Sequence, residues 1–385
     1  MLTKKLYYED PHMQTFSARV LSCREAQGGY EVILDATAFY PEGGGQACDL
    51  GLLADAAVLD VQERDEQVVH LCDRPLTEGS MIEGRLDWNR RFDLMQQHSG
   101  EHIVSGIVHA MFGYHNVGFH VGKDMMEIDF DGPISQEELQ IIENRANEAV
   151  WANSPIRCYY PSQEELPNTF YRTKKALPWP VRIVNIPDVD SCACCGVHVK
   201  TTGEIGLIKL VSCVKFHQGV RIELCCGGRA LRLMQRVFEQ NRLVSQAFSA
   251  KLLETGEAAK KMNEALSAGK YRATAFRNRL FAAIAAGYTG RDNVVHFEEA
   301  LDGSEVRELA TAIAGTCGGV AAVFSGSDTE GYSYCLATRA GDLRQCNQQM
   351  NAALNGRGGG KPNFQQGSVR ATQAQIRNFF TEQAD

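Results

Sequence analysis

Two short segments of the sequence each place potential metal ligands four residues apart. His98 and His102 lie in the run HSGEH, and Cys194 and His198 lie in the run CCGVH. Residues four apart project from one face of a helix, so both imidazoles of the first pair can bind the same ion. Three imidazoles and one thiolate form a tetrahedral ligand set that suits zinc. We therefore predict that His98, His102, Cys194 and His198 bind Zn2+.

Neighbouring thiols leave the identity of the cysteine ligand open. Cys192 and Cys195 lie beside Cys194 in the run CACC, so three thiolates are available there. The chain has 13 cysteines. This is an odd number, and with no signal peptide visible it favours metal ligands or buried thiols over a disulfide framework. If Cys192 and Cys195 are not ligands, we expect them to be small buried hydrophobic residues beside the site.

A different zinc chemistry also fits the first histidine pair. The run His98–His102 matches the H-x-x-E-H pattern of inverted zinc proteases, in which Glu101 would act as general base. That interpretation predicts a downstream glutamate as the third ligand, and it leaves Cys194 and His198 without a purpose. We therefore rank it below the four-ligand site.

The segments that precede these ligands are predicted to be β-strands. Apolar or alternating runs at 17–22, 29–34, 57–61 and 67–71 are separated by turn residues, a pattern typical of a small barrel or sandwich. The run TAFYPEGGGQ at 37–46 interrupts the pattern. Its three successive glycines allow the backbone to pass where side chains would obstruct it.

Helical and strand patterns alternate in the rest of the chain. Apolar residues at helical spacing predict a helix over 89–112 that carries His98 and His102. Ser135 followed by Glu138 has the form of a capping box and predicts a second helix start. Further predictions are strands at 156–160, 181–186, 206–211 and 220–224, a continuous helix from 230 to about 268, and a small α/β module from about 293 to 385.

The charge of the chain is unevenly distributed. The net charge is -8, yet residues 200–288 contain 15 Lys and Arg against 6 Asp and Glu. Such a basic stretch is either an electrostatic footprint for nucleic acid or one solvated helix face, and charge alone leaves both open. No apolar run approaches the roughly 20 residues that span a bilayer. We expect a cytoplasmic protein with no membrane partner.

Several of these motifs, in this order, resemble the AlaX family, which comprises free-standing relatives of the editing domain of alanyl-tRNA synthetase. Thr37–Gln46 resembles the family's T-x-F-Y-P-x-x-G-G-Q stretch, and His98–His102 resembles its HxxxH motif. Cys194–His198 resembles its C-x-G-T-H motif, although Cys195 and Val197 replace commoner residues there. Residues 356–363 resemble the G-R-G-G-G-K-P motif of the DHHA1 domain.

The resemblance implies an α+β fold with four parts. These are an N-terminal small β-barrel at 1–88 and an α+β editing domain with the zinc site at 89–228. A helical linker or oligomerisation region at 229–290 and a C-terminal α/β DHHA1-like module at 291–385 follow. The helical region would allow homodimerisation, and the terminal module would bind nucleic acid through a glycine-rich loop.

The resemblance also implies the reaction. The chain would hydrolyse the ester in Ser-tRNA(Ala) or Gly-tRNA(Ala) and would carry out no aminoacylation, since nothing resembles the ATP-binding motifs of a class II synthetase. It leaves open which of the two substrates is preferred, and whether zinc activates water or only positions the substrate. The implied residues are Thr37, His98 and His102 for catalysis, Gly43, Gly44, Gly45 and Gln46 for substrate binding, and Arg357, Gly358, Gly359, Gly360 and Lys361 for tRNA binding.

Two other function classes stay open at this level. One is a tRNA-binding or synthetase-accessory protein that has lost hydrolysis. The other is an unrelated zinc hydrolase, such as a peptidase with no dependence on tRNA. Deacylation of mischarged tRNA would identify the editing hydrolase, and peptide turnover with no tRNA dependence would identify the unrelated hydrolase.

Overall fold

A computed structural model of the chain describes residues 2–173 and 177–382. The chain forms two compact units, Met1–Leu243 and Val244–Asp385. The predicted division into four domains stays a prediction, and its residues 1, 174–176 and 383–385 lie outside the described residues. Strands and helices are mixed along the chain, so the predicted α+β class is confirmed.

The N-terminal part of the first unit is an antiparallel β-barrel. Its elements are β1 (Lys4–Lys5), α1 (Leu6–Glu9), β2 (Thr15–Ala26), β3 (Gly29–Leu34), β4 (Ala36–Thr37), β5 (Gly51–Leu53), β6 (Ala56–Arg64), β7 (Gln67–Cys72) and β8 (Met81–Leu86). Six strands close in the order β2-β3-β7-β6-β5-β8. Alternate residues of β2, namely Phe16, Ala18 and Val20, are buried, as the period of two along a barrel strand requires.

Among the described residues, the rest of the first unit consists of antiparallel strands and three α-helices, the last of which continues beyond Leu243. Its elements are α2 (Trp88–Phe112), β9 (Asn116–Val121), β10 (Met126–Phe130), α3 (Gln136–Trp151), β11 (Arg157–Tyr159), β12 (Ile183–Ile186), β13 (Asp190–Ala193), β14 (Ile208–Phe216), β15 (Gly219–Cys226) and α4 (Gly227–Phe248). One sheet has the order β14-β15-β10-β9 and the other β11-β12-β13. The capping box of α3 at Ser135 and Glu138 is present as predicted.

Helix α2 carries the first histidine pair and has well-defined ends. It begins after Asp87, whose side chain accepts a hydrogen bond from the Arg90 backbone N–H. It ends at Gly113, which adopts the left-handed conformation that commonly terminates helices. The predicted helix over 89–112 is therefore confirmed, and the residues from Glu101 to Val108 are all buried.

Two glycines let other parts of the chain approach α2 closely. A Cβ atom on Gly106 would lie 2.3 Å from the carbonyl oxygen of Val189, and one on Gly100 would lie 2.3 Å from the Cys226 sulfur. Both distances are well below van der Waals contact, so a larger residue would push the helix away. The segment that leads into β13 can reach α2 only because position 106 lacks a side chain.

The prediction of one continuous helix from 230 to about 268 is wrong. Helix α4 ends at Phe248, and a separate helix, α5 (Thr255–Ala286), follows it. Ser249 has a φ of 50°, and the Ala250 N–H donates to the Ser245 carbonyl at 2.9 Å. This is a Schellman termination with serine in the position that glycine usually takes. The usual stop signal is therefore missing from the sequence at this point.

The second unit contains an α/β sheet layered with helices. Besides α5, its elements are β16 (Val294–Glu298), α6 (Gly303–Ala314), β17 (Ala321–Ser327), β18 (Gly331–Ala337), α7 (Arg344–Ala353), β19 (Arg357–Lys361), β20 (Phe364–Val369) and α8 (Gln373–Glu382). The strand order is β16-β17-β18-β20-β19. Among the described residues, no helix combines the length and apolar character needed to cross a membrane.

We predict that Gly106→Ala destabilises the first unit by about 1–3 kcal/mol, although alanine favours helix more than glycine does. The reason is the close approach of the Val189 carbonyl, because overpacking outweighs propensity. Denaturant unfolding followed by tryptophan fluorescence measures this unit, since all three tryptophans lie in it: Trp88, Trp151 and Trp179.

Gly269→Ala is the matched control. Gly269 lies in α5 of the second unit, and no atom lies within 4 Å of a Cβ built there. The control should leave the tryptophan transition unchanged. An unchanged transition in Gly106→Ala as well would show that the contact with Val189 is not restrictive.

Candidate metal centre

Four side chains from two separate segments converge on one point in the first unit. Helix α2 supplies His98 and His102, and the irregular segment after β13 supplies Cys194 and His198. One ligand atom from each lies within 4.8 Å of all the others. The Cys194 sulfur is 3.4 Å from His98 Nε2. The structure therefore brings together the four residues that the sequence pairs suggested, in a group that can hold a metal ion.

Each imidazole of the group has a partner for its Nδ1 atom. His98 Nδ1 lies 2.7 Å from Gln46 Oε1, and His102 Nδ1 lies 2.8 Å from Asp190 Oδ2. His198 Nδ1 lies 3.4 Å from the Ser99 hydroxyl. Partners of this kind fix the tautomer and ring orientation of histidines that bind metal through Nε2.

Asp190 is the strongest of these partners, and the sequence motifs do not include it. Its carboxylate accepts two hydrogen bonds from Arg172, at 2.7 Å from Nε and 2.9 Å from a terminal nitrogen. Burial raises the pKa of Asp190, but the bonds from His102 and Arg172 outweigh it and leave the pKa low. Asp190 therefore stays charged and orients His102. In the sequence, the one feature that could have indicated a role for Asp190 is its position just before the cysteine-rich run.

The electrostatics of Cys194 and His198 favour metal ligation, whereas those of His102 favour a bound proton that a metal ion would have to displace. Burial opposes ionisation of the Cys194 thiol, but the surrounding imidazoles, His98 foremost, outweigh it and hold its pKa well below the usual value. Burial and the charge of His98 lower the pKa of His198 to about 3. Against its burial, Asp190 and Cys194 raise the pKa of His102. A thiolate and a neutral imidazole are the forms that bind metal.

An unpaired nitrogen supports the fit of a metal ion. His198 Nε2 is buried and has no hydrogen-bond partner among the described residues. A buried polar atom without a partner is costly unless something binds it. A metal ion held by His98, His102, Cys194 and His198 would satisfy this atom.

The structure distinguishes Cys194 from its neighbouring thiols. Cys192 donates weakly to the Ala193 carbonyl, at 3.7 Å, and burial raises its pKa to about 11. Cys195 is exposed and lies outside the four-residue group. Cys192 forms a smaller group with His102 and Asp190, but the Asp190 carboxylate is already engaged by Arg172.

Glu101 is occupied by other side chains. Its Oε1 accepts hydrogen bonds from the Ser105 hydroxyl at 2.5 Å and from Asn116 Nδ2 at 2.6 Å. Among the described residues, neither group that can hold a metal contains a glutamate. The protease pattern therefore lacks the third ligand that it requires.

The glycine-rich turn presents Gln46 to the centre. Gly43 and Gln46 exchange backbone hydrogen bonds of 3.0 Å, and Gly44 and Gly45 have φ values of 59° and 83°. A Cβ on Gly45 would lie 2.5 Å from the Phe119 ring, whose centroid lies 5.3 Å from that of the His98 ring. Glycine is therefore required where the turn passes β9.

Thr37 lies on β4, which pairs with β1 outside the six-stranded barrel, and is fully buried. Burial lowers the pKa of His70 to about 4, so His70 is neutral, and its Nδ1 donates to the Val32 carbonyl at 3.1 Å. Its Nε2 consequently accepts from the Thr37 hydroxyl at 2.9 Å, while the Phe39 N–H donates to that hydroxyl at 3.1 Å. The prediction that Thr37 contacts the substrate stays a prediction.

The terminal glycine-rich motif is a strand, and the expectation of a loop is wrong. Arg357–Lys361 forms β19 at one edge of its sheet, paired with β20, and all five residues are exposed. A Cβ on Gly358 would lie 2.4 Å from the Tyr334 hydroxyl. A glycine at position 358 therefore allows the Tyr334 side chain to lie close to the backbone of β19. The tRNA-binding role of Arg357, Gly358, Gly359, Gly360 and Lys361 stays a prediction.

Comparisons with known proteins identify the family of the chain. The family described as Threonyl and Alanyl tRNA synthetase second additional domain matches residues 181–221, which include Cys194 and His198. Class II (A) tRNA synthetases match residues 5–90. The alanyl-tRNA editing protein Aarsd1 of Rattus norvegicus is 30% identical over 279 residues, which cover 68% of this chain and 68% of that protein. The chain belongs to the alanyl-tRNA editing protein family.

Other relatives extend this assignment. The alanyl-tRNA editing protein AlaX-L of Pyrococcus horikoshii is 31% identical over 246 residues, 61% of each chain, so the resemblance to AlaX is confirmed. An alanine–tRNA ligase of Ignicoccus hospitalis is 34% identical over 260 residues, 64% of this chain. The match spans only 28% of that ligase.

We predict that Cys194→Ser weakens zinc binding by more than about a hundredfold. Replacing a ligand should lower the affinity for zinc at least as much as replacing one of its supporting hydrogen-bond partners, which typically lowers it about 10–100-fold. The protein would be equilibrated with zinc against a competing chelator, and bound metal would be measured by elemental analysis. Cys192→Ser is the control, and we expect it to retain the metal. Equal loss in both variants would place Cys192 among the ligands.

Proposed function

We propose that this chain is a zinc-dependent hydrolase that removes serine or glycine from mischarged tRNA(Ala). One observation carries the proposal: three imidazoles and a thiolate converge within 4.8 Å of one another in a buried centre. The names of the relatives support it, because several are alanyl-tRNA editing proteins. Aminoacylation is not part of the proposal, since the class II match is confined to residues 5–90.

Zinc is the ion that best suits the ligands His98, His102, Cys194 and His198. When bound, it would supply a Lewis acid able to polarise a carbonyl or lower the pKa of a water molecule. The chain's own contribution is to hold these ligands rigidly. Gln46, Asp190 and Ser99 support the three imidazoles from behind, so the centre need not reorganise when substrate arrives.

Gln46 is also the substrate-binding residue of this proposal. Its Oε1 accepts from His98 Nδ1, and its Nε2 is buried with no hydrogen-bond partner among the described residues. That N–H group can donate to an oxygen of the aminoacyl ester. Gly43, Gly44 and Gly45 would allow the terminal adenosine to approach the backbone, because no side chain projects from these three positions.

A dedicated hydrolytic site makes physical sense for these substrates. Serine exceeds alanine by one hydroxyl, and an apolar synthetic pocket rejects such an addition poorly. A site that hydrogen-bonds the hydroxyl rejects alanine far better, since its buried polar groups would then be left unpaired. Gln46 is the residue we propose for this discrimination, since its buried Nε2 has no hydrogen-bond partner among the described residues, whereas the Thr37 hydroxyl already donates to His70.

The second unit supplies the surface that we propose for the body of the tRNA. Arg357 and Lys361 lie at the two ends of the exposed edge strand β19. Basic side chains and exposed backbone suit phosphate oxygens, which position an RNA without reading its sequence. Lysines and arginines of the region 200–288 would supply a further electrostatic footprint for RNA.

The exposed apolar side chains of the helices support a homodimer. On α4, Leu231, Met234 and Phe238 follow helical spacing, and each is about half exposed or more. On α5, Phe276 and Leu280 are likewise exposed. Rows of exposed large apolar residues mark interaction surfaces, and symmetric pairing of identical chains is the commonest arrangement.

We predict a mass in light scattering of twice the 42.5 kDa of one chain. Replacing Met234 and Phe238 together by glutamate should shift the mass to that of one chain, because charge cannot be buried in such an interface. Leu253→Glu is the control, since Leu253 is fully exposed and lies outside both helices. A single-chain mass for the wild type at micromolar concentration would contradict the dimer.

We predict rapid release of amino acid from Ser-tRNA(Ala) or Gly-tRNA(Ala), with Ala-tRNA(Ala) spared. His102→Ala should slow this release by at least about a hundredfold, since electrostatic support of the reacting carbonyl is worth that much. Labelled aminoacyl-tRNA and acid precipitation measure the release. Cys192→Ser is the control and should keep the wild-type rate.

Other outcomes point to other functions. Zinc-loaded protein that binds tRNA(Ala) but deacylates neither mischarged form would be an accessory RNA-binding protein. Hydrolysis of peptides without tRNA would identify an unrelated zinc hydrolase.

A further inference from the structure

A cavity of about 740 Å³ lies within the first unit, and its wall is built partly from elements that also carry the metal centre. Leu94 in its wall precedes the ligand His98 by four helical residues, about 6 Å along the axis. Ala47, also in the wall, directly follows Gln46, and Val121 lies two residues beyond Phe119 on β9. The same three elements therefore form both the cavity and one side of the centre.

The cavity carries a surplus of positive charge. Arg229 and Asp93 neutralise each other through hydrogen bonds of 2.7–3.0 Å. Arg90, Lys123 and Arg232 remain, and no acidic side chain besides Asp93 lines the cavity among the described residues. Lys123 and Arg232 are exposed. Three cations in excess around a concave site favour an anionic ligand.

Aromatic rings line the same cavity. Trp88 and Phe92 lie with their ring centroids 5.5 Å apart and are half-buried. Their packing on the core beneath holds them in place, while their outer surfaces face the cavity. Aromatic faces beside basic side chains are the usual combination for single-stranded nucleic acid, because bases stack while the backbone is neutralised.

We propose that this cavity binds the single-stranded nucleotides at the 3′ end of the RNA substrate. Phosphates adjacent to the acylated terminal nucleotide would lie against Lys123, Arg232 and Arg90, and a base would stack on Trp88 or Phe92. The inference rests on the proposed function, which puts the ester at that 3′ end. The cavity thus holds the nucleotides that directly precede the reacting group.

The test combines two protein variants with two RNAs. Lys123→Glu with Arg232→Glu reverses the charge of the cavity, and both positions are exposed, so folding should be retained. Arg24→Glu with Arg145→Glu is the matched control: both side chains are exposed, they lie on β2 and α3, and neither lines the cavity. The RNAs are uncharged tRNA(Ala) and the same tRNA without its last three nucleotides.

Fluorescence anisotropy measures the binding of each pair. We expect removal of the three nucleotides to weaken wild-type and control binding by about tenfold and to leave binding by the cavity variant unchanged. Non-additivity of this kind reports a direct interaction. The slope of log affinity against log salt should also become shallower by about 0.7 for each phosphate that the cavity variant no longer binds.

Two results would overturn the proposal. One is that the cavity variant still binds the intact tRNA about tenfold more tightly than the shortened one. The other is that the wild-type protein binds both RNAs with the same affinity. Because binding is measured without hydrolysis, the outcome is independent of the deacylation assay. If the protein deacylates mischarged tRNA but the cavity substitutions and the nucleotide removal have independent effects on binding, only the proposed role of the cavity is rejected. If the two effects are coupled but no deacylation occurs, only the proposed hydrolase activity is rejected.

Discussion

The position of helix α2 depends on a buried ion pair between Arg91 in its first turn and Asp49, which lies three residues after Gln46. Arg91 is completely buried, and its guanidinium binds the Asp49 carboxylate and the carbonyls of Ala38 and Pro11. Breaking such a pair costs about 3–5 kcal/mol, because a buried charge is left behind. Arg91 therefore fixes the register between α2 and the segment that delivers Gln46. Without that register, His98 would lose its partner.

Helix α2 is also positioned by the absence of side chains at two glycines. Gly106 admits the Val189 backbone, and the next residue, Asp190, then reaches His102. Gly100 admits the Cys226 side chain of β15 in the same way. A charge pair and two glycines thus hold one helix against the segments that pack on it. The ligand geometry follows from that placement.

The centre and the neighbouring cavity share their supporting elements. The glycine turn, β9 and the first turns of α2 shape both, so forces that hold the ligands also hold the aromatic and basic walls of the cavity. A substrate whose reacting group and adjacent phosphates are close together needs both sites at a fixed separation. Rigid secondary structure is better suited to this than a mobile loop.

The sequence by itself determined the features that depend on local geometry. The pairing of His98 with His102 and the helix start at Ser135 follow from helical periodicity and capping, which involve only neighbours in the chain. The tertiary structure alone decided which long-range partners these residues meet. Asp190 contacts His102 across 88 residues, and Gln46 contacts His98 across 52 residues. Such contacts depend on packing between distant segments, which no local pattern encodes.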